Sequence, residues 1–173
     1  MTTVFTLIAI LQGFSISLGT GASTLAIINF FVAIADGGIS PDERRMMGVV
    51  YIVLRIAMVI ILVTTMLLLF RQYGLMEFGT ITTFHLAQIF VIVVLFVNAT
   101  LMTLHVIPSN FGPAIQAGNW YTLGTLAALL PLGITTFTMT QFLLAYVAWI
   151  VLAISIVNAV MALQMAKRNK LIK

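Results

Sequence analysis

Arg55 is the residue of this chain whose type and position most clearly suggest chemistry. It lies inside an apolar stretch, Met46 to Phe70, that is long enough to cross a bilayer. An ionisable side chain at membrane depth is costly, so it marks a candidate functional site. Arg55 is therefore a candidate to bind an anionic group, whether a lipid phosphate, a cofactor propionate or a transported anion. In the alternative interpretation, neighbouring Asn side chains and helix carbonyls satisfy the guanidinium and hold the helices together.

Two histidines, His85 and His105, are candidate cofactor ligands, because imidazole binds metals and haem. Both fall in one apolar segment, where about 30 Å of helix would separate them and place them on nearly opposite faces. They cannot both bind one haem within one chain. Two arrangements remain for a haem b: a single histidine with a weak, absent or methionine sixth ligand, or a haem shared between two copies. The alternative for each histidine is a hydrogen-bonding role at a helix end.

The composition indicates that lipid covers most of this protein. Hydrophobic residues make up 62% of the chain and charged residues only 7%, whereas soluble domains average about 25% charged residues. The sequence has no cysteine, which excludes disulfides and thiolate metal sites. It also shows no paired membrane carboxylate, metal-ligand cluster or nucleophile motif. We therefore expect no metal site and no nucleic-acid partner, and we favour a protein that is not an enzyme.

Five segments are long and apolar enough to be membrane helices, since a spanning helix needs roughly 20 residues. Paired glycines after Asp36 are expected to end the first segment, and Ser40 followed by Pro41 is expected to begin the second. The stretch from Pro108 to Asn119 is predicted to be the longest loop. The sequence thus predicts an all-α bundle in one transmembrane domain, residues 1–173, with spans at about 4–35, 41–70, 80–106, 120–137 and 141–166.

The distribution of Lys and Arg predicts the orientation, because cytoplasmic ends of membrane helices carry more of them. One side has only Arg71. The other side has six basic residues: Arg44, Arg45, Lys167, Arg168, Lys170 and Lys173. We therefore expect a cytoplasmic C-terminus and an outside N-terminus, in a multi-pass protein of a bacterial or archaeal cytoplasmic membrane.

Small residues recur at intervals of four along the first segment, at Gly13, Ser17 and Gly21. Such a face lets another helix backbone approach closely. We expect it to pack helices together, and we expect a homo-oligomer or a partner in a membrane complex. An unwound segment around Gly19 and Gly21 is the alternative interpretation.

The polar residues inside the spans fall into two layers when they are placed by depth, at about 1.5 Å of rise per residue. The inner layer, about 9–14 Å from the inner helix ends, comprises Asn29, Arg55, Asn98 and Asn158. The outer layer comprises Gln12, Thr64, Thr65, His85, Gln88 and Gln141. Asn and Gln side chains offer carbonyl acceptors to the guanidinium, and the outer groups are of the kind that form hydrogen bonds between membrane helices.

Two stretches carry a family resemblance. One runs from Leu7 to Ala35 and into the charged turn Ile39–Arg45, and the other runs from Gln88 to Asn98. On these, the chain resembles small bacterial membrane proteins related to copper-resistance protein D and the membrane-type protoporphyrinogen oxidase. The resemblance implies a helical membrane bundle, in a group associated with haem or copper. The ligands do not carry over, because Gln12 replaces the family's usual His and Gln88 replaces its Lys; only Asn98 matches.

Three classes of function fit these observations. The first is a haem-binding or redox-linked membrane protein, in which His85 or His105 is the axial ligand and Arg55 pairs with a propionate. The second is a small transporter or channel for an anion or a small solute, with a pathway that joins the two layers and a hinge at Pro131 in the fourth helix. The third is a non-catalytic membrane subunit whose polar layers only hold helices together. The histidines, the unpaired arginine and the resemblance favour the first.

Overall fold

A computed structural model describes residues 2–35, 40–74, 81–107 and 111–171 of the chain. The five helices are α1 (Thr2–Ala35), α2 (Pro41–Leu69), α3 (Thr83–Thr103), α4 (Gly112–Leu129) and α5 (Met139–Leu171). A single π-helical turn, Phe70–Gly74, continues α2. These described parts contain no strand, so the predicted all-α bundle is confirmed.

Four of the helices, α1, α2, α3 and α5, are long and apolar enough to cross a membrane. Their outward surfaces carry large apolar side chains, such as Phe14, Leu144 and Leu163, each about seven-tenths exposed. Monomeric soluble proteins do not leave continuous apolar surfaces of this extent in water. Length and composition therefore indicate a multi-pass integral membrane protein.

The start of α2 follows the prediction. The Ser40 hydroxyl accepts a hydrogen bond from the Glu43 N–H at 3.2 Å, and the Glu43 carboxylate accepts one from the Ser40 N–H at 2.7 Å. Pro41 stands in the first turn, where its missing N–H costs nothing. These reciprocal bonds satisfy two backbone donors that the helix itself leaves free. The predicted end of α1 at Asp36 and the glycines after it lies outside the described residues.

The predicted bounds of the fourth helix were wrong. It was expected at 120–137, but α4 begins at Gly112 and ends at Leu129. Pro113 occupies the first turn of α4, where proline is accommodated, so the predicted loop is helical from Gly112 onward. Pro131 lies beyond the end of α4, since proline cannot continue a helix and restricts the residue before it. It therefore cannot act as a hinge within α4.

The short helix α4 lies at the centre of the bundle. The four long helices form a ring, in which α1 packs on α2, α2 on α3, α3 on α5 and α5 on α1, while α4 contacts α1, α3 and α5. Trp120 and Asn119 of α4 are fully buried, and Gln116 is nearly so. Because the first half of α4 is mostly buried against protein, it tolerates polar residues that the outer helices would expose.

A small-residue face of α1 makes this central position possible. Ser15, Gly19 and Ser23, at intervals of four, are all buried. Gly19 lies directly against the indole ring of Trp120, and the Ser15 hydroxyl donates to the Ala57 carbonyl of α2 at 2.7 Å. Close approach of backbones through such residues is typical of membrane helix packing. Small residues at intervals of four thus pack helices together in this protein, but they lie on a face of α1 next to the predicted one.

The predicted face, Gly13, Ser17 and Gly21, is exposed among the described residues. A Cβ atom added at Gly13 or at Gly21 would meet nothing within 4 Å. Because α1 is a continuous helix from Thr2 to Ala35, the alternative of an unwound segment around Gly19 and Gly21 was wrong. Packing of this face against a second copy or another membrane protein stays a prediction.

One buried hydrogen bond joins α4 to α5, and its removal is expected to destabilise the protein. The Tyr146 hydroxyl donates to Asn119 Oδ1 at 2.6 Å, and both side chains are buried. Tyr146→Phe would leave that amide oxygen without its donor, which we expect to lower the free energy of unfolding by about 1–3 kcal/mol. Denaturant unfolding in detergent measures the change. Tyr51→Phe is the control, because the Tyr51 side chain is 40% exposed; equal stability of the two variants would contradict the prediction.

Candidate functional site

The predicted inner layer does not form a hydrogen-bonded cluster around Arg55 among the described residues. Arg55 is exposed on α2 and makes no hydrogen bond or ion pair with any described residue. Leu54, Met58 and Ile61 are buried on the same helix and face the rest of the bundle. The depth of Arg55 was predictable from its position along α2. The face of the helix on which it lies depends on how α2 packs, and the polar residues alone did not indicate it.

The asparagines of that layer have separate surroundings. Asn98 is buried on α3, and its Nδ2 donates to Gln116 Oε1 at 2.8 Å and to the Gly112 carbonyl at 3.1 Å. Asn29 and Asn158 are only partly buried. Asn98 therefore connects α3 to the start of α4. Its partner Gln116 was not predicted, because Gln116 falls in the stretch from Pro108 to Asn119 that was expected to be a loop.

Arg55 lines a groove of about 390 Å³ between α2 and α3, which touch along only a short stretch. The groove is lined by Tyr51, Leu54, Arg55, Met58, Ala99, Met102, Thr103, His105 and Gln116. Gln116 of α4 and Met58 of α2 are buried, whereas Arg55, Thr103 and His105 are exposed. The groove thus has a protein floor and an exposed rim that includes both a guanidinium and an imidazole.

Helix geometry places the polar groups at one end of this groove. Tyr51 and Arg55 are four residues apart on α2 and therefore share a face. Side chains on a helix lean toward its N-terminus, so Arg55 extends toward Arg44 and Arg45. That end of the bundle, which also has Lys167 near the end of α5, is called the basic end below.

His105 reaches the groove from α3 through a backbone turn. It follows the last residue of α3 by two positions and has a positive φ of 57°. This left-handed conformation is uncommon for a residue other than glycine, although histidine adopts it more readily than most. The His105 N–H donates to the Met102 carbonyl at 3.1 Å and closes the turn. The end of α3 thereby brings an imidazole to the groove that contains Arg55.

The groove presents hydrogen-bond donors and a positive charge. No acidic residue occurs among the described residues of its lining. A guanidinium has five N–H donors and no acceptor. The Gln116 amide adds donors, since its Nε2 bonds only the weak acceptor Met58 Sδ at 3.5 Å among the described residues. These groups are complementary to an anion.

The predicted outer layer is partly assembled at the opposite end of the bundle. The Gln12 amide donates to Thr65 Oγ1 at 2.8 Å and joins α1 to α2. A second pocket of about 390 Å³ is lined by Ala9, Gln12, Thr65, Leu68, Leu69, Arg71, Gln72, Phe84, His85, Gln88 and Leu130. The structure therefore brings together Gln12, Thr65, His85 and Gln88, as predicted. Arg71 and Gln72, which had been assigned to a turn, complete the polar lining.

The other two members of the outer layer have local roles. The Thr64 hydroxyl donates to the Ile60 carbonyl of its own helix at 2.7 Å. Gln141 accepts a hydrogen bond from the Thr138 N–H at 2.9 Å, and its own N–H donates to Thr138 Oγ1 at 3.2 Å. This is a capping box at the start of α5, and its signal in the sequence is a threonine followed three residues later by a glutamine.

The two histidines lie at opposite ends of α3, as predicted. His85 Nδ1 is 2.6 Å from Thr82 Oγ1 and 3.1 Å from the Tyr73 hydroxyl. These bonds hold the imidazole ring and leave Nε2 without a described partner. A ring nitrogen held in this way, with the other one free, is also the usual arrangement of a histidine ligand.

A packed apolar layer separates the groove from the opposite pocket. Ile61 on α2 and Val91 and Leu95 on α3 are fully buried between them. Interiors of this kind are close-packed and leave few voids larger than a water molecule. A transport pathway that joins the two polar regions would therefore need this layer to open, and such a pathway stays a prediction.

The resemblance to the copper-resistance protein D group rests on the sequence alone. Gln12 and Gln88, which replace the family's His and Lys, line the same pocket in the structure. Asn98, the matching residue, bonds Gln116 and the Gly112 carbonyl. Comparison of the chain with family models, with curated proteins and with solved structures found no match.

Proposed function

We propose that this membrane protein binds an anionic phospholipid in the groove between α2 and α3, with Arg55 on the lipid phosphate. The observation that supports the proposal is the exposed guanidinium of Arg55, which has no described partner within a helix long and apolar enough to span a membrane. An arginine in hydrocarbon needs a carboxylate, backbone carbonyls or an anionic ligand. His105 beside it adds a second group that can donate to the anion.

The depth of Arg55 suits a lipid headgroup. Arg55 follows Arg45 by ten residues, which corresponds to about 15 Å of helix. Its long side chain extends back toward the basic end, which shortens the distance between the guanidinium and the headgroups. Basic pockets between membrane helices near the cytoplasmic surface are typical sites for anionic headgroups. The predicted orientation, with the basic end inside, places the lipid in the inner leaflet.

The chemistry of the groove suits a lipid phosphate. A guanidinium forms two parallel hydrogen bonds with phosphate oxygens, and His105 and Gln116 provide donors for the rest of the headgroup. Ile56 and Val59, on the exposed side of α2, are 50% and 58% exposed and offer apolar surface to the acyl chains. The site therefore fits an amphiphile with an anionic head.

The experiment is a lipid-retention measurement on the purified full chain. The protein is reconstituted in nanodiscs of equal phosphatidylglycerol and phosphatidylcholine content, re-extracted gently and analysed by native mass spectrometry. We expect phosphatidylglycerol to be retained several-fold over phosphatidylcholine, and we expect inorganic phosphate not to displace it. Equal retention of the two lipids would contradict the proposal, and displacement by inorganic phosphate would identify the ligand as a free anion instead.

Haem binding is a second candidate, and the free Nε2 of His85 is the observation that favours it. If Nδ1 donates its proton to Thr82 Oγ1, then Nε2 keeps a lone pair for iron. An absorption spectrum before and after dithionite tests this possibility. We expect a Soret band if His85 is an axial ligand, and we expect its loss in His85→Ala but not in His105→Ala. A protein that stays colourless after addition of hemin would exclude this function.

A further inference from the structure

We infer that the pocket at the end opposite to the basic end is a binding site for a small organic monocarboxylate. Arg71 would bind the carboxylate, and Leu68, Phe84 and Leu130 would contact the apolar part of the ligand. This site is separate from the lipid groove and does not depend on the proposed lipid function. It is called the carboxylate pocket below.

Arg71 is positioned by local structure. It lies in the π-helical turn that continues α2, and its guanidinium carbon is 4.7 Å from the centre of the Phe5 ring of α1. This cation–π contact holds the side chain against the first helix, while its N–H groups keep their capacity for hydrogen bonds. The residue is only partly exposed. A half-buried cation with an aromatic support is well suited to bind an anion in the pocket.

The remaining polar groups of the pocket also have donors to offer. Gln72 and Gln88 make no hydrogen bond with any described residue, and both line the pocket. If the Thr82 hydroxyl donates to Nδ1 of His85, then Nε2 carries the proton and is a donor. No acidic residue occurs in the described lining. One cation and several amide or imidazole donors, without a described counter-charge, favour an anionic ligand over a cationic or neutral one.

Size and apolar surface narrow the class of ligand. The volume of about 390 Å³ lies at the low end of the range typical for small-molecule sites. Beside its polar groups, the pocket has apolar walls from α1, α2, α3 and the end of α4, formed by Ala9, Leu68, Leu69, Phe84 and Leu130. A short-chain monocarboxylate places its charge on Arg71 and its carbons on these walls. A multiply charged anion would leave charge against apolar side chains, which is unfavourable.

The test uses hexanoate as the probe and the full chain in nanodiscs of phosphatidylcholine. Binding of radiolabelled hexanoate is measured against empty nanodiscs, which correct for partition into lipid. Hexanol and hexylamine, which have the same chain and no negative charge, are added as competitors. We expect saturable hexanoate binding that unlabelled hexanoate displaces and that neither analogue displaces. Absence of saturable binding, or displacement by hexanol at equal concentration, would overturn the inference.

Substitutions of Arg71 and Arg45 test whether hexanoate binds in the carboxylate pocket. Arg71→Gln is expected to weaken hexanoate binding at least tenfold, and Arg71→Lys is expected to weaken it less because the charge remains. Arg45→Gln, which removes a charge at the other end of the molecule, is expected to bind hexanoate like the unaltered protein. Far-UV circular dichroism of each variant verifies that the helices are intact. Unchanged binding in Arg71→Gln would contradict the assignment.

Discussion

Arg55→Gln is expected to weaken the binding of phosphatidylglycerol by about tenfold to a hundredfold and to leave the protein folded. A hydrogen bond to a charged group contributes about 1.5–3 kcal/mol, and each 1.4 kcal/mol is about a tenfold change in affinity. Gln keeps a polar end group but is shorter, and it loses the charge and the paired N–H groups. Affinity is measured by titrating phosphatidylglycerol into nanodiscs and counting bound lipid by native mass spectrometry.

Two matched variants make this prediction specific. Arg45→Gln removes the same charge from the same helix but outside the groove lining, so we expect little change in lipid affinity. Arg55→Lys retains the charge without the planar fork, so we expect an intermediate affinity. If Arg55→Gln binds the lipid as well as the unaltered protein, the proposed site is wrong. If Arg55→Gln fails to fold, Arg55 has the structural role that was the alternative interpretation, in a membrane subunit without a ligand.

Gly19→Ala is expected to destabilise the protein by about 1–3 kcal/mol, the usual cost of overpacking a well-packed interior. A Cβ at Gly19 would overlap the indole ring of Trp120. Trp120 is itself fully buried on the central helix, so it has no space into which to move. The measurement is the free energy of unfolding in mixed detergent micelles, followed by circular dichroism.

Gly21→Ala is the matched control for that substitution. It adds the same methyl group to the same helix two residues away, where nothing lies within 4 Å. Because any general preference of the helix for Ala over Gly applies to both variants, their difference isolates the contact with Trp120. Equal stability of the two variants would show that α1 does not pack on α4 through Gly19.

Much of the architecture was predictable from hydrophobic length and from local capping signals. The all-helical class and the start of α2 at Ser40 and Pro41 follow from these signals, and both were confirmed. The position of α4 was not predictable in the same way. Glycine and proline near its start resemble a loop, but Pro113 stands in the first turn of α4, where a helix accommodates proline.

The candidate sites, too, were predictable from the sequence only in part. Depth along each helix predicted that Gln12, Thr65, His85 and Gln88 would share a layer, and they line one pocket. Depth does not determine which face of a helix points inward, so the exposed Arg55 has none of the predicted asparagines as a described hydrogen-bond partner. Small residues at intervals of four occur on two adjacent faces of α1. Which of these faces is buried depends on where α4 packs, and the sequence alone does not show this.

The most direct test of the lipid proposal is a crosslink from the groove itself. A benzoylphenylalanine introduced at Thr103, which is exposed in the groove lining, is irradiated in nanodiscs that contain equal phosphatidylglycerol and phosphatidylcholine. We predict an adduct with the mass of phosphatidylglycerol as the main product, strongly reduced when Arg55→Gln is added. Equal adducts with both lipids, or a phosphatidylglycerol adduct that persists without Arg55, would contradict the proposal that Arg55 holds an anionic lipid in this groove.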